Sequence, residues 1–203
     1  KLTDLSYLSK HIVSQLPNVP TSIFAKMSKL AATHNAINLS QGFPDFKSSE
    51  VLIELVAKAM KDGFNQYAPM QGLLSLREAI SHKIEQLYNY SYNPETEITV
   101  TAGGTQAIFT IITTFVHPGD EVIIFAPAYD CYAPAIALNG GKVVEIVLSS
   151  PDYHIPWEAV KSQISGKTSM IIINSPHNPT GALLSEKDMK ELEGILKNTG
   201  IIV

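Results

Sequence analysis

The chain has 203 residues, 45% of them apolar and 17% charged, a composition that supports a buried core and excludes a disordered or acidic-tail protein. The formal net charge of −4 lacks the basic excess that is typical of nucleic-acid-binding domains. A single cysteine excludes an intramolecular disulfide framework and indicates an intracellular, cytoplasmic protein.

The sequence predicts neither a membrane segment nor a metal site. The first twenty residues contain no apolar signal-peptide core, and no apolar run approaches the roughly 20 residues needed to span a bilayer. The six histidines include no pair at metal-ligand spacing, and Cys131 has no partner cysteine.

Residues 1–40 fit no strand–helix unit, and we expect them to form an N-terminal arm and part of a smaller domain. After them, one apolar stripe predicts a helix from about Ser49 to Gly63, and a second stripe predicts a helix that starts near Gly72. The β-branched run Glu97–Thr101 predicts a short strand.

From there on, strand and helix patterns alternate as far as the last residue. Predicted strands cover 121–126, 142–147, 169–174 and 201–203, and predicted helices cover 105–115, 129–138, a segment opening at Pro156, and about 186–198. The last helix opens with the capping box Ser185-Glu186-Lys187-Asp188.

Alternating strands and helices with near-continuous Val/Ile strands predict a three-layer αβα fold of the α/β class, with a mostly parallel sheet covered on both faces. Residues 41–203 are expected to belong to this domain. Because the chain begins without Met and ends inside a predicted strand, we expect it to be a fragment holding the N-terminal portion of the domain.

Ligands of open α/β sheets bind beyond the carboxyl ends of the strands, where this sequence places three polar clusters. The first is Thr101–Gln106, in which Gly103 and Gly104 allow close backbone approach and Thr105 adds a hydroxyl. The N-terminus of the following helix favours a phosphate. The alternative interpretation is an ordinary tight turn with a threonine cap, because neither a dinucleotide fingerprint nor a P-loop is present.

The second cluster follows the next strand, and the third follows the apolar strand 169–174. In the second, Tyr129 can stack on a planar heterocycle or simply pack in the core, and Cys131 is expected to be a packed residue rather than a nucleophile. In the third, two prolines flank His177-Asn178 and can hold the Asn178 amide toward a ligand. His177 is a weaker candidate for a base, because a lone loop histidine is more often structural.

Six motifs in fixed order make the pattern specific. They are Asn-Leu-Ser-Gln-Gly-Phe-Pro-Asp-Phe at 38–46, Asn-Gln-Tyr-Ala-Pro-Met-x-Gly-x-x-x-Leu-Arg at 65–77, Thr-Val-Thr-Ala-Gly-Gly-Thr-Gln-Ala at 99–107, Pro-Gly-Asp-Glu-Val at 118–122, Pro-Ala-Tyr-Asp-x-Tyr at 127–132 and Pro-His-Asn-Pro-Thr-Gly at 176–181. With them the chain resembles the fold-type I, class I/II aminotransferases, which use pyridoxal 5′-phosphate (PLP). Methionine and kynurenine/glutamine aminotransferases are the closest in motif.

The resemblance implies a role for each matching residue. Gly103, Gly104 and Thr105 match the segment that holds the cofactor phosphate, and Tyr129 matches the aromatic residue stacked on the cofactor ring. Asn178 matches the residue that bonds the cofactor's phenolic oxygen and lies near the substrate carboxylate.

Two further positions take their roles from the resemblance alone. Gly42 matches a backbone position beside the substrate carboxylate. Tyr67 matches the tyrosine that reaches the neighbouring subunit's phosphate in a homodimer.

The resemblance implies transfer of an amino group from an L-amino acid (methionine, aromatic or kynurenine-like) to a 2-keto acid. The family's cofactor-binding Lys, pyridinium Asp, second phosphate Arg and substrate Arg cannot be assigned in this chain, so these 203 residues alone are expected to be inactive. Two alternatives remain open, namely β-elimination by a cysteine-conjugate lyase and a non-enzymatic binding module with the same fold.

Overall fold

The computed structural model describes residues 13–17, 19, 21–42 and 44–203. The described chain forms two compact units, one at Thr21–Gly104 and the other containing Thr105–Val203. The predicted assignment of residues 1–40 and 41–203 to different domains stays a prediction.

The first unit is helical. Its helices are α1 at Ile23–Thr33, α2 at Glu50–Lys61 and α3 at Leu74–Tyr88. The sequence predicted α2 and α3 but not α1, whose first turn is capped by Ser22: its hydroxyl accepts a 3.3 Å hydrogen bond from the Ala25 N–H. After α2 the chain turns at Gly63, with φ of +92°, a conformation that glycine adopts without steric cost.

The predicted strand at Glu97–Thr101 is wrong, because the described segment 98–101 has neither helix nor strand structure. A strand is defined by a ladder of hydrogen bonds to a neighbour, and β-branched composition alone does not supply the neighbour. The Val100 N–H instead donates to the Gln71 carbonyl, at 2.9 Å.

The second unit follows the predicted alternation of strands and helices. Its elements are α4 at Gly104–Phe115, β1 at Glu121–Ala126, α5 at Tyr132–Leu138, β2 at Lys142–Val147, α6 at Trp157–Gln163, β3 at Thr168–Ile171 and α7 at Glu186–Leu196. The first and last residues predicted for β1 and for β2 are confirmed. Helix α5 begins three residues later than predicted, and β3 ends three residues earlier.

Within the described residues the three strands form a parallel sheet in the order β2-β1-β3. Glu121 at the start of β1 lies opposite Lys142 of β2 and Thr168 of β3, so the carboxyl ends of all three strands point to the same edge. The strand predicted at Ile201–Val203 is present as a single parallel bridge between Ile202 and Met170.

Side chains of β1 alternate between two cores, one on each face of the sheet. Val122 and Ile124 pack with residues of α4 and α5, including Ile112 and Ile136. The intervening residues of β1 face the other core, with residues of α6 and α7; its buried members are Ile123, Phe125, Val144, Ile146, Leu148, Val160, Ile171 and Leu192. The predicted three-layer αβα arrangement with a parallel sheet is confirmed.

Helix α7 begins with the capping box that the sequence predicted. The Ser185 hydroxyl accepts from the Asp188 N–H at 3.2 Å, and the Asp188 carboxylate accepts from the Ser185 N–H at 2.8 Å. Among the helices that the structure describes, none is both long and apolar enough to cross a membrane.

Candidate active site

The carboxyl edge of the sheet carries two of the three predicted polar clusters. Strands β1 and β3 are parallel neighbours, and Ile172 extends their pairing by donating its N–H to the Ile123 carbonyl at 2.9 Å. The loop that carries Tyr129 therefore leaves the sheet beside the loop that carries Asn178. This shared edge is the ordinary ligand-binding position in an open α/β sheet.

Tyr129 lies at this edge with its hydroxyl toward the first turn of α4. Its Oη is 3.5 Å from Oγ1 of Thr105. The Tyr129 ring is half-buried, and it packs edge-on against Tyr132, with ring centroids 5.9 Å apart and planes at 70°. The structure thus brings Tyr129 and Thr105 together. A single ligand with a phosphate near Thr105 and a flat ring on Tyr129 would need these two residues to be close.

The glycine turn before Thr105 is shaped by backbone conformation rather than by packing. Gly103 has φ of +98°, which residues with a side chain rarely adopt, and its carbonyl accepts a 3.0 Å hydrogen bond from the Thr101 hydroxyl. Gly104 is the first residue of α4, and a Cβ built there meets no atom within 4 Å. No atom therefore occupies the Cβ position of Gly104, beside the free N–H groups of the first turn of α4.

Asn178 lies in a loop that is closed by several internal hydrogen bonds. The His177 N–H donates to the Ala182 carbonyl at 2.8 Å, and the His177 carbonyl accepts from the Gly181 N–H at 2.7 Å. The His177 ring Nδ1 pairs with the Thr180 hydroxyl at 2.8 Å. These bonds hold the backbone on both sides of Asn178, whose own side chain is exposed.

Gly42 and Tyr67 both lie in the first unit and are exposed. A Cβ at Gly42 would meet no atom within 4 Å, and the Tyr67 side chain is fully exposed. The loop before Gly42 is ordered by Asn38, whose amide donates to the Ser28 hydroxyl at 3.0 Å. Phe43 of the same motif lies outside the described residues.

A small cavity lies behind the Asn178 loop, and its polar lining includes His154, His177 and Asp188. Its volume of ≈ 20 Å³ has room for about one water molecule and excludes a substrate-sized ligand. Partial burial raises the pKa of Asp188, but hydrogen bonds from Ser185 and Trp157 outweigh that effect and hold the pKa below its ordinary value. Asp188 is therefore a charged structural anchor at neutral pH.

Cys131 is not suited to be a nucleophile. Its side chain is half-buried against the core on the α4–α5 face, and burial, followed by the charge of Asp130, raises the pKa of the thiol. A raised pKa keeps the thiol protonated, whereas a nucleophilic cysteine needs the thiolate.

Three residues make hydrogen bonds that the sequence did not predict. Arg77 belongs to the second of the six motifs, and the structure buries it in α3. Thr180 holds the His177 ring, and Trp157 donates from Nε1 to Asp188 at 2.8 Å. The spacing His-x-x-Thr was the available signal for Thr180. The partner of Trp157 and two of the three acceptors of Arg77 are distant in the chain.

Comparison with known proteins places this chain in a defined family. Residues 34–203 match the family model for aminotransferase class I and II, and the chain belongs to that family. The family resemblance drawn from the six motifs is thereby confirmed.

Individual relatives agree with this assignment. A methionine aminotransferase from Escherichia coli is 48% identical over 179 residues, which cover 88% of this chain and 46% of the relative. Kynurenine–oxoglutarate transaminase 3 from Rattus norvegicus is 36% identical, covering 87% of this chain and 41% of the relative. The chain therefore spans about half the length of the curated relatives it matches.

Solved structures give the same result. An Escherichia coli protein identified as a methionine aminotransferase superposes with a TM-score of 0.91 at 45% identity, covering 94% of this chain and 50% of that one. An N-succinyldiaminopimelate aminotransferase from Mycobacterium tuberculosis gives a TM-score of 0.88 at 36% identity, with the same shares covered.

Proposed function

We propose that the protein containing this chain is a PLP-dependent aminotransferase that moves an amino group from an L-amino acid to a 2-keto acid. The observation that carries the proposal is the contact between Thr105 and Tyr129 at the carboxyl edge of the sheet. It joins a helix N-terminus suited to a phosphate with an aromatic ring suited to a flat heterocycle.

The residues present fit PLP. The open space before Gly104, together with the hydroxyl of Thr105, supplies a cradle for the phosphate dianion, whose charge the α4 N-terminus stabilises. Tyr129 supplies the face for the ring, and its packing against Tyr132 limits the orientations that this face can take. When bound, PLP supplies an electron sink for the carbanion at the Cα of the amino acid.

Asn178 is proposed to orient the cofactor and the substrate. Its amide can donate to the phenolic oxygen of PLP, and a fixed backbone reduces the entropy lost when that bond forms. Support comes from the hydrogen bonds of His177 to Ala182, Gly181 and Thr180, which close the loop around it. A donor at the phenolic oxygen stabilises negative charge there and so favours the ionised phenolate.

Gly42 and Tyr67 extend the proposal to the substrate and to a homodimer. We propose that the Gly42 backbone lies beside the substrate carboxylate and that Tyr67 reaches the cofactor phosphate of the partner subunit. The exposure of both residues supports these roles, since neither is committed to packing in its own unit. We also propose a cytoplasmic enzyme, in keeping with the single cysteine.

Methionine, aromatic amino acids and kynurenine-like amino acids are the proposed donors. The names of the methionine and kynurenine relatives support this group. The second candidate reaction is β-elimination from a cysteine conjugate, which would use the same phosphate cradle and ring platform.

The test is a product assay on the full-length protein with PLP, methionine and a 2-keto acid acceptor. The proposal predicts equal amounts of the keto acid of methionine and the aminated acceptor. A cysteine conjugate supplied without an acceptor separates the second reaction, because elimination gives pyruvate and ammonia. The assay is repeated with an aromatic amino acid and with kynurenine as donors. A protein that binds PLP but transfers the amino group of none of these donors and eliminates no cysteine conjugate would be a binding module, and the proposal would be wrong.

A further inference from the structure

Arg77 is the only arginine in the sequence, and its side chain is turned inward. The residue is 7% exposed and lies in the first turn of α3. A buried charge is costly unless its hydrogen-bonding groups are satisfied. The contacts of this guanidinium therefore indicate what it is used for.

Among the described residues, the acceptors of Arg77 are backbone carbonyls of two separate loops. Its Nε donates to the Gly72 carbonyl at 3.2 Å. Its Nη1 donates to the carbonyl of Pro94 and, at 3.4 Å, to that of Glu95. The arginine thus ties together the turn before α3 and the loop after it, and within the described part of the chain it forms no ion pair with a carboxylate.

Arg77 holds the turn at Gln71–Gly72, and this turn is hydrogen-bonded to the segment 98–101 that leads to Gly103 and Gly104. The Val100 N–H donates to the Gln71 carbonyl at 2.9 Å, next to the Gly72 carbonyl that Arg77 holds. A Cβ on Gly72 would lie 2.8 Å from the Val100 side chain, so the two segments are in close contact. One residue further on, the Thr101 hydroxyl donates to the Gly103 carbonyl at 3.0 Å.

We propose that Arg77 is a positioning residue for the phosphate turn at Gly103-Gly104, acting through Gly72 and Val100. The proposal rests on the proposed function, in which this turn receives the phosphate of PLP. The segment 98–101 has no strand ladder to fix its position, so the bond to Gln71 and the contact with Gly72 carry that task. Without the guanidinium, the Gly72 carbonyl loses its donor and the segment loses its register against the turn.

Ser81 offers a matched control for a purely structural role. It is 8% exposed, lies one helical turn after Arg77 in α3, and donates its hydroxyl to the Tyr92 carbonyl at 2.5 Å. It therefore ties α3 to the same loop as Arg77 does, but it does not touch Gly72. Ser81→Ala loosens the helix–loop contact and leaves the turn before α3 in place.

The experiment compares the affinities of the full-length protein for PLP and for pyridoxal, which lacks the phosphate. Wild type, Arg77→Met, Arg77→Lys and Ser81→Ala are titrated, and circular dichroism checks their fold. We expect Arg77→Met to lower the preference for PLP over pyridoxal by about tenfold, because a small misplacement of a binding group is costly. Arg77→Lys should show a smaller loss, and Ser81→Ala should keep the wild-type preference.

A folded Arg77→Met variant with the wild-type preference would overturn the proposal, as would an equal loss in Ser81→Ala. If Arg77→Met does not fold, the ratio of the affinities for PLP and pyridoxal is measured on Arg77→Lys instead. Lysine keeps the buried positive charge but has fewer hydrogen-bond donors, so a wild-type ratio in this variant would overturn the proposal. A wild-type protein that shows no preference for PLP would instead refute the proposed function, and this proposal with it. The two failures are therefore distinguishable.

Discussion

The Tyr129 hydroxyl lies 3.5 Å from the Thr105 hydroxyl, although 24 residues separate the two in the chain. The contact joins the loop after β1 to the first turn of α4. It exists because α4 packs on one face of the parallel sheet with its N-terminus at the edge where β1 ends. A phosphate at the helix N-terminus and a ring on Tyr129 would therefore belong to one molecule of modest length.

Substitution of Tyr129 separates the role of its ring from that of its hydroxyl. Stacking on an aromatic side chain contributes about 1–3 kcal/mol, so Tyr129→Ala should weaken PLP binding by about tenfold or more. Tyr129→Phe keeps the ring and loses only the contact with Thr105, and we expect a loss below about threefold, since a typical hydrogen bond contributes little net energy. Titration followed by absorbance measures both, and equal losses would contradict stacking as the main role.

The two glycines of the phosphate turn should respond differently to alanine. Gly103→Ala forces a side chain into φ of +98° and should lower the free energy of unfolding by about 1–2 kcal/mol. Gly104→Ala meets open space at the start of a helix and should leave that free energy unchanged or raise it by up to about 1 kcal/mol.

Ligand binding gives the complementary readout for Gly104. The added methyl group occupies the space before the helix N-terminus, so Gly104→Ala should weaken PLP binding by about tenfold while the fold is retained. Denaturant unfolding and PLP titration on the same protein samples check the pair. Undiminished PLP affinity in Gly104→Ala would show that the phosphate does not approach the backbone there.

The capping box of α7 should make stability depend on pH. The pKa of Asp188 is lowered in the folded state, so its contribution is present above its ordinary pKa of 3.8 and is lost as the pH falls through the lowered value. Ser185 donates to Oδ2 of Asp188 and Trp157 donates to Oδ1. Asp188→Asn keeps a single acceptor oxygen and cannot serve both partners, and we expect it to cost about 1 kcal/mol at pH 7. At pH 3 or below the cost should shrink.

Urea unfolding at pH 7 and pH 3 measures this difference. Glu186→Gln is the control, because Glu186 is also acidic and in the first turn of α7 but forms only an exposed pair with Lys190, at 2.6 Å. Its substitution should change stability little at either pH. An Asp188→Asn cost that is the same at both pH values would refute the assignment.

A polypeptide of just these 203 residues should not catalyse transamination. None of its lysines lies in the family's cofactor-lysine motif, and Lys142, Lys161 and Lys190 are already paired with carboxylates. The measurement is turnover of methionine with a keto-acid acceptor and added PLP, with the full-length protein as the positive control. Turnover by the 203-residue polypeptide would contradict the prediction.

Much of the second unit could be predicted because its signals are local. The bounds of β1 and β2 follow from apolar β-branched runs between turn residues, and the capping box marks the start of α7 within one residue. The parallel order of the strands follows from the helices between them. Tyr129 could be predicted as a site residue for the same reason, because it follows β1. Thr105 could be predicted from the glycine pair and the helix that begins beside it, although the strand expected before it is absent.

The remaining features depend on contacts between distant residues. The strand predicted at Glu97–Thr101 fails because no described neighbour pairs with it. Ile201–Val203 does pair with β3, through the single bridge between Ile202 and Met170. Helix α1 was not predicted because no strand accompanies it, so it stands outside the alternation of strands and helices. The burial of Arg77 was invisible because its acceptors lie in two loops up to 18 residues away.

The most direct test is a crystal structure of the full-length protein with PLP. The account predicts the cofactor phosphate within hydrogen-bond distance of the backbone at Gly103–Thr105, with the pyridine ring against the face of Tyr129. PLP bound elsewhere, or bound with its phosphate away from the N-terminus of α4, would contradict it.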